Sequence, residues 1–180
     1  MKRNLYIIIM VAFWMTAFSR SPSAQEKSEL SAAEISSVAL VTNQINIGYA
    51  KLAKEKSRNE EVLKFAEMMI KDHMNIISQL AKINKKMKLT PKDNPVSQKL
   101  LADAAQARIS LTSKSGVSFD KAYIDNQVTY HQEVISKIED LLFSQRYEGE
   151  LNSLLQNLVP MLQVHLDRAL SIQNKIFKIE

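Results

Sequence analysis

The sequence predicts an all-α fold: an antiparallel four-helix bundle with a short extra helix in its long crossover and a proline-kinked last helix. Two observations carry that prediction. Glycine occurs three times and proline four times in 180 residues, too few turn-formers for an all-β chain or a glycine-rich phosphate loop. From Ser31 onward, apolar residues recur at alternating three- and four-residue steps, the period of a helix with one buried face. Hydrophobic residues make up 46% and charged residues 24%, so the chain can bury a core and is not disordered.

The first helix opens with Ser31-Ala32-Ala33-Glu34, a capping box in which a hydroxyl and a carboxylate each satisfy a free backbone N–H. Its stripe is Ile35, Val38, Thr42, Ile45, Tyr49 and Leu52, and it runs to about Lys56. Ser57-Arg58-Asn59-Glu60 reads as a second capping box. The second helix carries Val62, Phe65, Met69, His73, Ile76, Leu80, Ile83 and Met87. Leu89 to Pro95 is a break, because proline has no N–H to donate and restricts the residue before it. A shorter helix covers about Val96 to Thr112, with Leu100, Leu101, Ala104, Ala107, Arg108 and Leu111 on its stripe. After a turn at Ser113 to Val117, Ser118 reads as an N-cap for a helix carrying Ile124, Val128, His131, Ile135, Ile138 and Leu142. That helix ends near Arg146. The last carries Leu151, Leu154, Leu158, Leu162, His165, Ala169, Ile172 and Ile176, with Pro160 expected to free the Gln156 carbonyl and kink it.

Short turns within the first and last pairs of long helices make each pair antiparallel. The long middle connection can return the chain along the bundle, which is ferritin-like connectivity. The bundle domain is placed at 31–180, behind a linker at 25–30 and an export segment at 1–24.

That opening segment has a basic start at Lys2 and Arg3, about 14 apolar residues from Leu5 to Phe18, and small residues to Ala24. This is the layout of a cleaved signal peptide, and the apolar run is shorter than the roughly 20 residues that span a bilayer. An uncleaved anchor is the alternative, and it would be the only membrane contact. Either way the domain is expected outside the cytoplasm, in the periplasm or cell envelope or beyond it. The formal charge of +5 changes meaning accordingly. Without Lys2, Arg3 and Arg20 the chain has 21 basic residues against 19 acidic, which gives no basis for nucleic-acid binding. Cysteine is absent, which excludes disulfides, cysteine nucleophiles and thiolate metal sites.

The three histidines carry the most chemical information. His73, His131 and His165 fall in the apolar stripes of three different long helices, so their imidazoles could converge on one divalent metal ion. Glu139, eight residues after His131, is a further candidate as ligand or as acceptor behind a ligand. The competing reading is a hydrogen-bonded core without metal or other cofactor. No acid stands three residues before any of the histidines, so a di-iron centre with paired Glu-x-x-His motifs is not expected. Asp72 and His73 diverge by about 100° on a helix and do not pair, so Asp72 is left to solvent or a neighbouring helix. Thr42 and Asn46 form a polar pair beside the first stripe. They either fix register by hydrogen bonding or line, with Tyr49 and the histidines, a small polar pocket.

From about Ser31 to Ile176 the chain resembles an exported bacterial family catalogued as domain of unknown function number 4142. The segments that carry the resemblance are Lys51-Leu52-Ala53, Phe65 to His73, Ser115 to Tyr123, Tyr130-His131, Glu139, and Leu158 to Leu166. The resemblance implies a ferritin-like four-helix bundle, secreted or envelope-located, with no settled biochemical role. All three histidines lie on positions of the family pattern. Members commonly carry glutamate-valine-glutamate in the first helix, where this chain has Asn46-Ile47-Gly48.

The expected protein is therefore an exported helical bundle that acts by binding or structurally rather than as an enzyme. Its partner would be a protein, a small molecule or a second copy of the chain. The alternatives are a metal-binding or redox bundle built on the histidines, and a small-ligand bundle with an apolar pocket beside Pro160.

Overall fold

The computed structural model describes residues 29–144 and 149–178. The signal peptide assigned to 1–24 and most of the linker lie outside the described residues. Among the described residues the chain is all-helical, with five helices and no strand: α1 (Ala32–Lys56), α2 (Glu60–Met87), α3 (Pro95–Thr112), α4 (Gly116–Ser144) and α5 (Glu150–Phe177). None of them is long and apolar enough to cross a membrane.

Caps set the boundaries. Ser31 and Glu34 form the expected capping box of α1. The N-cap of α2 is Asn59, whose Oδ1 accepts from the N–H groups of Glu61 and Val62. Ser57, expected to cap α2, instead ends α1, and its buried hydroxyl accepts from the Asn59 N–H. At α3, Pro95 opens the helix rather than belonging to the break. Its missing N–H costs nothing at the first helical position, and Asn94 caps from behind. α4 starts at Gly116, which takes φ 54°, two residues before the expected cap at Ser118. α5 continues through Pro160. Pro160 and Gln156 are both exposed, so water can serve the carbonyl that proline leaves without a helical partner.

Side-chain bonds fix the directions. Ser36 near the start of α1 donates to Asn84 near the end of α2 at 2.8 Å, so the two run antiparallel. Gln173 late in α5 donates to Asp125 early in α4 at 2.7 Å, with the same consequence. Arg168–Glu61 and Lys86–Glu150 pair α5 antiparallel to α2. The closest packing is α1 on α2 and α4 on α5. α2 also packs on α5, and α1 on α4, so the long helices close a ring of contacts around one core. α3 lies outside against α1 and α4. It leaves Glu34, where the Asn94 amide meets a backbone carbonyl, and ends beside Lys56, which reaches the Thr112 carbonyl. It therefore runs parallel to α1 and returns the chain to the end from which α4 starts.

Buried faces follow the helical period with two shifts. α1 packs on three neighbours, so it buries more than one stripe: Ser36, Ala39, Asn43, Asn46, Ala50 and Ala53 are inside, and Val38 and Thr42 are half-buried. At the end of α2 the buried residue is Asn84, and Met87 is exposed. α3 fully buries only Ser97 and Leu111, and it leaves Leu101 and Ile109 exposed.

Candidate metal centre

Midway along the long helices the core turns polar. His73 on α2, His131 on α4 and His165 on α5 are 1%, 0% and 1% exposed. Each enters on the apolar side of its helix, one turn from an aliphatic, sulfur or amide side chain that is itself buried: Met69, Gln127 and Leu162. Their ring centroids lie 5.3 Å (His73–His165), 5.5 Å (His131–His165) and 6.1 Å (His73–His131) apart. One nitrogen from each ring lies within 4.8 Å of the other two.

The second nitrogen of each ring is held from outside, and this fixes the tautomers of His73 and His131. His73 Nδ1 lies 2.7 Å from Asn43 Oδ1. The Asn43 Nδ2 donates to the Ala39 carbonyl at 2.7 Å, so its oxygen faces the histidine and His73 Nδ1 must donate. His131 Nδ1 lies 2.8 Å from the Gln127 carbonyl, which can only accept. His165 Nε2 lies 3.0 Å from the carboxylate of Asp72. His73 and His131 therefore direct lone pairs from Nε2, and the ring nitrogen that His165 leaves free of Asp72 is Nδ1; these three buried atoms have no hydrogen-bond partner. A hydrogen-bonded core would use such atoms as acceptors. Three buried ring nitrogens brought together in this way can share one cation.

Any three atoms within 4.8 Å of one another have a common point within about 2.8 Å (4.8/√3) of each. Zinc–imidazole bonds are about 2.0–2.1 Å, so closing each ring by less than about 0.8 Å completes coordination. The electrostatics agree. Burial, and then repulsion from the other two rings when charged, lowers the His73 pKa to about 2. Burial lowers His131 to about 4, opposed by its bond to Gln127 and aided by His165. Both rings are thus neutral ligands at pH 7, with no proton to lose first.

The other predicted residues sort differently. Glu139 is exposed and stands apart from the cluster. Eight residues after His131 it is turned by about 80° and displaced by about 12 Å along the helix. Asn46 is 1% exposed and donates to the Thr42 carbonyl at 3.1 Å, so the pair is joined through backbone. Tyr49 is buried with its ring edge-on to Tyr130 at 6.1 Å, and its hydroxyl reaches the Ala104 carbonyl of α3 at 3.4 Å. It anchors α3 and does not bond to the histidines; burial raises its pKa. Two surface depressions lie along α3, one of them shared with α1, and neither is lined by Pro160.

Sequence reasoning missed Asn43, because the first stripe was drawn through Thr42, one residue away. It also missed Gln127 and Tyr123, which share one line of α4 with His131 and are both 0% exposed. The signal was available in the i, i+4, i+8 spacing of Tyr123, Gln127 and His131. Asp72 proves to be the partner of a histidine on a neighbouring helix.

No curated protein and no solved structure matches the chain. A family model does, over residues 17–172, and its description is a domain of unknown function, DUF4142. The match spans most of the chain: this protein belongs to the DUF4142 family.

Proposed function

We propose that this protein binds one transition-metal ion through His73, His131 and His165, on a ferritin-like four-helix framework of α1, α2, α4 and α5 with α3 as the crossover. The observation that carries the reading is the set of three convergent ring nitrogens. They are buried and unpartnered, while the opposite nitrogen of each ring is tied to an oxygen acceptor. Oxygen acceptors behind metal-bound histidines set ring orientation and raise ligand basicity. An all-imidazole set suits zinc, copper, nickel or iron and not calcium or magnesium. Export to the envelope is part of the reading and rests on the opening segment of the sequence. The role is binding rather than catalysis.

Elemental analysis of untagged protein, purified without chelator, tests the proposal. One equivalent of a single transition metal in the wild type, lost in His131→Leu, is the expected result. Substoichiometric metal that persists in the variant contradicts it.

A further inference from the structure

Three histidines leave a four-coordinate ion one position short, and the fourth long helix supplies no histidine. What α1 does supply is Asn43 and Asn46. Asn43 bonds His73, and Tyr49 contacts Tyr130, whose ring lies edge-on to His131 at 6.4 Å. Asn46 stands between these two contacts on the inner face of α1, three residues from each, and is 1% exposed. Its Nδ2 is used by Thr42, and its Oδ1 has no partner. On α4, one turn before His131, Gln127 is 0% exposed and neither Oε1 nor Nε2 has a partner. Its backbone carbonyl receives the His131 Nδ1–H, and the i, i+4 spacing puts the two side chains on one line of α4.

Resting on the metal reading above, we infer that the ion keeps its fourth position for a small exogenous oxygen or nitrogen donor, water or a small anion, seated between the amides of Asn46 and Gln127. The atom inventory fits this ligand. A metal-bound water needs two acceptors for its protons, and Asn46 Oδ1 and Gln127 Oε1 are two unpartnered acceptors. A hydroxide or other anion needs a donor, and Gln127 Nε2 is one. Charge points the same way. Three neutral imidazoles leave a divalent ion's charge uncompensated in a dry core, and the nearby carboxylate of Asp72 is engaged by His165. A small monoanion on the metal removes one of those two charges where it sits, and the Asp72 carboxylate behind His165 offsets the other. The amides then orient that ligand and are positioning residues, not metal ligands.

The probe is azide, titrated into the protein loaded with cobalt(II), whose visible bands report coordination. The wild type is expected to bind one cobalt and to show a saturable azide-dependent change in its bands. Asn46→Leu and Gln127→Leu are expected to retain one cobalt and lose at least tenfold in azide affinity. A cobalt-loaded wild type whose spectrum ignores azide overturns the inference and leaves the metal reading standing. Unchanged azide affinity in both variants overturns the seat assigned to the amides. Failure to bind cobalt at all brings down the metal reading and this one together. Should either leucine variant fail to fold, Asn46→Ala and Gln127→Ala are read in the same way, with the same loss of azide affinity expected and unchanged affinity overturning the seat.

Discussion

Two stretches of the same interior follow opposite rules. Between α2 and α5, Ile76 and Leu80 and then Leu151, Leu154, Leu155 and Leu158 are buried apolar side chains that do nothing but pack. A few turns away the same helices, joined by α1 and α4, bury three histidines, two asparagines and a glutamine. The first stretch is what a helical core needs for stability. The second works against it, because buried polar atoms without partners are costly and apolar replacements of similar shape are often neutral or stabilising. The proposed metal site accounts for that difference: a polar layer that weakens the core is kept for the ion it would hold.

The largest expected effect belongs to the apolar stretch. Leu154→Ala leaves a cavity and loses about 2–5 kcal/mol in denaturant unfolding, while metal stoichiometry stays at one. Loss of metal in that variant would mean that the two stretches are not separable.

Acid sharpens the contrast from the other side. The unfolded histidines take up protons near pH 6.5, whereas native His73 and His131 refuse them until about pH 2 and about pH 4. Below pH 6.5 the unfolded state therefore binds more protons, and stability falls as pH falls. The slope is about 1.4 kcal/mol per pH unit per histidine, or roughly 2 kcal/mol for each between pH 6.5 and 5. The metal-free unfolding midpoint is expected to drop between pH 7 and 5, and to drop less in His131→Leu. A flat profile in the wild type would contradict the neutral, buried assignment.

Metal moves stability in the opposite sense. At a free concentration 100 times Kd it adds about 2.7 kcal/mol, or about 5–10 °C in Tm for a domain this size. His131→Leu is expected to abolish that shift. Smaller again are the residues behind the ligands. Asn43→Leu and Asp72→Asn are each expected to weaken metal affinity about 10–100-fold in competition titrations, without changing stoichiometry. The least effect is Gly48→Ala on α1, where an added Cβ meets nothing within 4 Å. It is expected to gain about 0.5–1 kcal/mol of stability and leave metal affinity unchanged.

Most of the fold was legible because each long helix advertises its buried face by spacing, and the caps at Ser31 and the breaks at Leu89–Pro95 mark where helices end. The faces of α2 and α5 were read almost residue for residue. α1 was not, because three neighbours press on it and small residues such as Ala39, Ala50 and Ala53 give no periodic signal. For the site, periodicity placed each histidine on an inner face, which is an angle about the helix axis. It could not place them at one level along that axis, because level is set by how antiparallel helices slide past one another. That sliding is decided by contacts such as Ser36–Asn84 and Gln173–Asp125, about 48 residues apart in sequence. The same limit made Glu139 look close to His131 when it lies about two turns away on another face.

The central claim is that one ion sits among three imidazoles, and zinc titration by calorimetry of the wild type and His131→Leu tests it most directly. The account predicts one tight site per chain in the wild type and none in the variant. Equal binding by both, or no binding by the wild type, would contradict it.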